Sequence, residues 1–357
     1  MKLSTLYKSY PQKSRVRKTS FYVKVVAMKE KVYLVVPTIR TLDFLNEWQD
    51  QFKDCHIIII EDNPAKTITI PAAPRQSLTH YCWADIKKDF GKNEWIFSRR
   101  NSGIRSYGFW KAYQAGADMI ITLDDDCYPV DTDYVKKHVE NLNAFAPEAW
   151  FPTFPHPDHI YTRGFPYKVR NKYPVKISHG LWSNKIDMDA KTQLKTGGVN
   201  IPPYPPLRLF IPFGYFFPMS SMNLAFRREA TPLMYFSLMG EDPQGNKWGY
   251  DRYDDIWCGI IAKKACDILG WAVVNGSPFV EHRKASDVKT NLLKEKDGMG
   301  RNENFWKAID GAEKIIKKTA KPTGIIRALI KRATDKYQNS YFRRYNKAVL
   351  TWIELFS

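Results

Sequence analysis

Short apolar runs closed by acids or proline mark the first third of the chain. Val32 to Val36 is followed by Pro37-Thr38, and His56 to Ile60 by Glu61-Asp62-Asn63-Pro64; each run reads as a buried strand. Between them, Thr41 to Phe52 carries apolar side chains at helical spacing, with Thr41 as the candidate N-cap. This strand, helix, strand order predicts parallel pairing through a right-handed crossover, and ligands of such sheets bind beyond the carboxyl ends of the strands. A second helix, from about Ile104 to Ala117, follows Asn101-Ser102-Gly103 and leads into the strand Ile120 to Leu123. That strand ends on three consecutive carboxylates, Asp124-Asp125-Asp126, before Cys127-Tyr128-Pro129.

The pattern then changes. From Trp150 to Pro218 the chain is dense in proline, aromatic and glycine residues, notably Pro202-Pro203-Tyr204-Pro205-Pro206, which disfavours helix and predicts long loops laid over a site. Ser220 to Ala225 reads as a strand returning to the core, Trp257 to Leu269 as a helix preceded by the acidic Asp251 to Asp255, and Trp271 to Val274 as a strand before a loop with His282. Later, Ile325, Ile326, Leu329, Ile330 and Ala333 recur at helical spacing beside Arg327, Lys331 and Arg332, the signature of an amphipathic basic helix. Two readings of it stand: peripheral contact with an anionic membrane, or docking on its own protein.

The 357 residues, 44% of them hydrophobic, suffice for a large core in one big domain or two fused ones. Five cysteines, an odd number without CxxC spacing, argue against a disulfide framework and for a reducing, cytoplasmic compartment. No run of about 18 uncharged apolar residues and no apolar leader segment is present, so neither a membrane span nor a signal peptide is expected. The formal net charge of +18 concentrates at the ends, in Lys8, Lys13, Arg15, Arg17 and Lys18 and again from Lys314, Lys317 and Lys318 to Arg343 and Arg344. Tyr337, Tyr341, Phe342 and Tyr345, interleaved with that charge, suit either base stacking or packing on the main domain. Binding to nucleic acid accounts for the charge but not for the acid triplet, so no nucleic-acid partner is expected.

Three adjacent carboxylates repel one another unless a cation sits among them, and oxygen donors of this kind suit Mg²⁺ or Mn²⁺. The alternative is an acidic surface turn. With no Walker-type loop in the sequence, phosphate would be neutralised by a metal and arginine. Asp62, at the end of the second strand, is placed to accept a hydrogen bond from a base or ribose, or to cap a turn. Thr38 and Arg40 follow the first strand and would touch a nucleotide; Arg105 would bridge to its diphosphate or stand exposed on a helix.

Seven ordered motifs carry a resemblance. Val36-Pro37-Thr38-Ile39-Arg40, Leu123 to Cys127, Arg163-Gly164-Phe165-Pro166, Ser178-His179-Gly180-Leu181-Trp182, Phe217 to Phe226, Arg252 to Trp257 and His282 to Ser286 resemble the reversibly glycosylated polypeptide family, whose plant members are UDP-arabinopyranose mutases. The resemblance implies an α/β, GT-A type nucleotide-sugar-binding fold: a Rossmann-like, mostly parallel sheet flanked by helices, over residues 31–300. Residues 1–30 would form a basic leader and 301–357 a basic helical C-terminal region. It further implies a UDP-sugar substrate, association of copies, and a divalent metal at Asp124, Asp125 and Asp126, with His282 either a late ligand or a structural histidine. In the mutases a sugar is attached reversibly to an arginine matching Arg163, and an arginine matching Arg170 is needed for activity. Guanidinium is a poor nucleophile, so a carboxylate must assist it; Asp254 and Asp255 are the candidates. A phosphate clamp is the alternative role for Arg163. His179 and Trp182 suit a sugar platform or a buried aromatic corner, and Asn223 suits a sugar hydroxyl or a loop backbone.

This chain departs from plant members in having Asn101 for an aspartate, Ser220 and Ser221 for cysteine and glycine, and a longer, more charged stretch from Gly240 to Arg252. A transferase passing sugar from a nucleotide donor to an envelope or capsular acceptor is therefore the second reading. A non-catalytic nucleic-acid or membrane binder is the third.

Overall fold

The computed structural model describes residues 30–70, 77–151, 161–202, 205–283, 287–316 and 321–356. The leader, and from the segments above Pro203, Tyr204, Lys284 to Ser286, Lys317 and Lys318, lie outside the described residues. Strand β1 (Val32–Thr38), helix α1 (Leu45–Trp48), β2 (His56–Glu61), β3 (Ser77–Tyr81), α2 (Trp83–Phe90), α3 (Arg105–Gln114) and β4 (Met119–Leu123) form the first half. Strand β1 pairs in parallel with both β2 and β4, and β2 in parallel with β3. Then come β5 (Cys127–Pro129), α4 (Tyr134–Leu142), β6 (Phe145–Ala146), β7 (Tyr173–Lys185), α5 (Ala190–Thr196), β8 (Asn200–Ile201), β9 (Arg208–Phe210) and β10 (Asn223–Arg227). The chain ends in α6 (Asp254–Leu269), β11 (Ala272–His282), α7 (Val288–Phe305), α8 (Pro322–Lys336) and α9 (Ser340–Glu354).

The sheet runs β3-β2-β1-β4-β10-β7-β11-β5, with β10 antiparallel to both neighbours and β11 parallel to β7. Helices cover both faces, which is why β4 is buried throughout. Alternate residues face opposite layers. Val35, Ile58, Ile60 and Ile120 enter one apolar cluster, while Leu34, Val36, Ile57, Ile59 and Ile121 enter the other. This is the mixed α/β architecture, a large central sheet flanked by helices, that a GT-A type fold requires.

Several elements differ from expectation, the largest being the stretch from Trp150 to Pro218, which carries β7, α5, β8 and β9 in place of the expected long loops, because β7 pairs with β10 and β11 in the sheet. Leu42, Phe44, Leu45, Trp48 and Phe52 are all buried, but turns around the short α1 carry them instead of a helix from Thr41. Trp48 stacks on Phe52 at 4.6 Å and its indole donates to the Cys127 carbonyl at 3.0 Å, so tertiary packing rather than helical period sets that segment. Strand β10 begins at Asn223, and β11 runs on to His282 because β7 and β5 pair with it beyond Pro278.

The C-terminal helices belong to the same body as the sheet. Ile325, Ile326, Leu329, Ile330 and Ala333 of α8 are buried in the larger cluster with Tyr341, Phe342 and Tyr345 of α9. The apolar stripe of α8 is therefore docked on its own protein and not presented to lipid, and the aromatics of α9 pack instead of offering faces to bases. Among the described residues no helix is long and apolar enough to cross a membrane. All five cysteines are buried and free.

Candidate functional site

A cleft of about 750 Å³ opens beyond the carboxyl ends of β1 and β4. Eight carboxylates line it against four lysine or arginine side chains, an acidic site in a basic protein. At one end stands the acid triplet, turned out of β4. Arg105, nearly fully buried, donates through Nη2 to Asp124 Oδ1 at 2.6 Å and through Nη1 to Thr122 Oγ1 and the Ser221 carbonyl, both at 2.9 Å. It is neither exposed nor free for a diphosphate: it fixes Asp124. Asp125 turns away from the cleft, accepting from Thr38 Oγ1 and from Arg40 Nη1, each at 2.5 Å. Arg40 also reaches Asp126 Oδ2 at 3.2 Å. Burial first, then the neighbouring charges, raises the carboxyls of Asp125 and Asp126.

Among the described residues no three His, Cys, Asp or Glu side chains are gathered closely enough to hold an ion. The donor chemistry nevertheless suits one. The Lys185 carbonyl, 2.9 Å from His282 Nδ1, can only accept, so Nδ1 carries a proton and Nε2 is the nitrogen left to offer a lone pair to a cation. That nitrogen lies 3.7 Å from Asp126 Oδ1, beside Asp124. Asp124, Asp126 and His282 are the donors that fit; Asp125, turned towards Thr38 and Arg40, does not join them.

The other end is built by the N-terminus of α6. Helix α6 lies so close to the Met219 backbone that a Cβ on Gly259 would come within 2.5 Å of Met219 N, and this contact brings Ser220 and Ser221 over its first turn. Asp255 accepts from Ser221 N and Oγ, both at 2.9 Å, and from Ile256 N at 2.8 Å. Asp254 accepts from Ser102 Oγ. Burial, then the adjoining Asp255 charge, raises the Asp254 carboxyl far above its ordinary range, and burial raises Asp255 as well. Asp254 therefore keeps more capacity to accept a proton than Asp255, whose oxygens are already engaged.

The profile of a family described as "Reversibly glycosylated polypeptide" matches residues 27–357. The chain belongs to that family. UDP-arabinopyranose mutase 1 of Arabidopsis thaliana is 34% identical over 340 residues, covering 92% of each chain. Probable UDP-arabinopyranose mutase 1 of Solanum tuberosum is 34% identical over 92% of this chain and 90% of its own. UDP-arabinopyranose mutase 3 of Arabidopsis thaliana reaches 37% over 78% of this chain and 76% of its own.

The site residues expected from the sequence of this family member fall into three groups. Arg40, Asp124, Asp126, Trp182, Asp254, Asp255 and His282 line the cleft; Thr38, Asp125 and Arg105 stand directly behind it. Asp62 anchors a loop: it accepts from the Trp83 indole at 2.7 Å and from Asn101 N at 3.1 Å, and burial lifts its carboxyl to about 6. Asn223 is withdrawn into the core, donating to the carbonyls of Leu181 and Pro278 and accepting from Tyr134 and His138, so nothing remains for a sugar hydroxyl. His179 is buried too, with Nδ1 on Asn275 and Nε2 accepting from Ser220 N at 3.0 Å; it supports the serine loop, and Trp182 alone of that pair faces the cleft. Arg163 is exposed, and neither it nor Arg170 is among the lining residues. Arg170 donates to the Phe165 carbonyl at 2.8 Å and lies over the rings of Tyr167 and Tyr161.

Several wall residues escaped the sequence reading. Asp187 and Asp189 alternate beyond the end of β7, a second acid cluster that could have been noticed; in the cleft Asp187 is lifted to about 6 by desolvation and the Asp255 charge. Glu295 sits mid-helix in α7 with no local signal at all.

Proposed function

We propose that this chain interconverts the pyranose and furanose forms of a UDP-sugar. The observation that carries the reading is the pairing, across one cleft, of the Asp124-Asp126-His282 corner with the buried Asp254 and Asp255. Arg40, held by carboxylates at that corner, would turn to the diphosphate, and Trp182 would stack on the sugar or base. A bound Mn²⁺ or Mg²⁺, held by Asp124, Asp126 and His282, would supply positive charge against the phosphates. Once the Arg163 side chain is carried into the cleft from its exposed position, the anomeric C–O bond to phosphate breaks with UDP leaving, a C–N bond to the guanidinium forms, and the guanidinium proton passes to a carboxylate, for which Asp254 is the better candidate. Ring opening and reclosure follow on the adduct, and returning UDP releases it.

The position of Arg163 outside the cleft favours a second reading, transfer to an external acceptor. Incubating the full chain with a panel of UDP-sugars and Mn²⁺, and analysing both nucleotide sugars and the Arg163 peptide by mass, tests the two. Ring-contracted product without acceptor supports the mutase; turnover only after adding an acceptor glycan replaces it with the transferase.

A further inference from the structure

Arg252 is in the left-handed region, φ 66°, a conformation uncommon for side-chain-bearing residues and shared within this cleft by Arg100. It lines the cleft between Asp251 and Asp254. Two links hold it. On one side Asp251 Oδ1 accepts from Arg252 N at 2.9 Å and from Asn101 Nδ2 at 2.8 Å, tying the turn to the opposite wall. On the other, Arg252 Nε donates to Glu295 Oε1 at 2.9 Å, while Glu295 Oε2 accepts from Ala190 N at 2.7 Å. Glu295 is buried, so its charge is aimed at Arg252 and not at solvent. One turn along α7, Gly298 leaves room for the Tyr253 ring, which a Cβ would strike. Helix α7 is thus shaped to the turn that presents this arginine. With Nε committed to Glu295, the terminal nitrogens remain to face the cleft, Nη2 lying 3.9 Å from Asp187.

We infer that Arg252 contacts the sugar of the bound nucleotide sugar, donating from its terminal nitrogens to ring or hydroxyl oxygens, and that Glu295 is a positioning residue acting through it. This rests on the UDP-sugar reading above. The sugar is neutral: the surrounding wall carries Asp187, Asp189, Asp251 and Glu295 against Arg252 and Lys294, and would repel an added carboxylate.

Titration of the full chain in Mn²⁺ with UDP, UDP-xylose and UDP-glucuronate tests the inference. Wild type should bind UDP-xylose at least fivefold more tightly than UDP, and UDP-glucuronate no more tightly than UDP. Arg252→Lys should shrink the xylose advantage below twofold with the UDP Kd unchanged within twofold. Glu295→Ala should do the same, and Glu295→Gln, which keeps an oxygen for Nε–H, should retain at least half of the advantage. If Arg252→Lys folds poorly, Arg252→Gly removes the guanidinium from a turn that glycine adopts without strain, and the same loss is expected. A variant at Arg252 that keeps the full advantage, equal behaviour of the two Glu295 variants, or tighter binding of the uronate overturns the inference and leaves the UDP-sugar reading intact. Failure of wild type to bind UDP at all overturns both.

Discussion

At the Asp124-Asp126 corner the side chains come from the ends of neighbouring strands, whereas the wall around Asp254 is gathered from Arg100 to Ser102, Asp187 to Asp189, Pro218 to Met222, Asp251 to Ile256 and α7. The charges differ as well. Arg40 and Arg105 face the corner acids at hydrogen-bond distance, but Asp254 and Asp255 are paired only with hydroxyl and amide groups. Burial raises carboxyls at both ends, but at the corner Arg40 and Arg105 offset part of that cost, while Asp254 and Asp255 have no cation at hydrogen-bond distance. Neutralising Asp124, the partner of buried Arg105, should therefore cost stability, and neutralising Asp254 should not.

The sharpest way to break this contrast is Asp126→Asn, which should lower turnover of a UDP-sugar by roughly 100-fold or more, since cation affinity follows ligand charge. Its thermal midpoint should stay close to wild type. Asp124→Asn should also unfold more easily, by about 3 kcal/mol in urea titration, because the buried Arg105 loses its charged partner. Near-identical stability of the two variants would show that Arg105 does not depend on Asp124.

At the wall the sign reverses. The folded-state pKa of Asp254 lies above its ordinary 3.8, so its stability contribution is fully present below 3.8 and is lost as pH rises through the raised value. Asp254→Asn should accordingly be inactive yet more stable than wild type at pH 8, by about 1–2 kcal/mol. A less stable variant at that pH would contradict the account.

Behind both ends lie His138 and His179, kept neutral by burial, which lowers them to about 3 and about 4 from 6.5. The unfolded chain takes up these protons below pH 6.5 and the folded chain does not. Stability should therefore fall on acidification from pH 6.5 towards 4, each ring contributing a slope of about 1.4 kcal/mol per pH unit, readable from urea midpoints. His138→Gln should flatten that slope. The smallest effect is expected far from the cleft: Lys331→Ala removes an exposed ion pair with Asp335 and should change stability by less than about 0.5 kcal/mol and turnover not at all.

Legibility in the sequence followed the same division. Strands β1, β2 and β4 were visible as apolar runs because both sheet faces are covered, and the triplet was visible because its members are adjacent. Arg105 was read as a phosphate contact because nothing local reveals that Asp124 turns back to meet it. Glu295 and the Asn101–Asp251 bond, which spans 150 residues, are products of tertiary assembly that no local pattern encodes. Asn223 misled for a related reason: an amide beside a site and an amide sealed beneath it have the same neighbours in sequence.

The five buried cysteines have a practical use. Burial also raises the thiols of Cys127, Cys258 and Cys266, so an alkylating reagent meets neither access nor thiolate while the chain stays folded. Labelling becomes a clock for opening: Cys127, next to the triplet, and Cys258, on α6, would report in separate peptides which end of the cleft comes apart first.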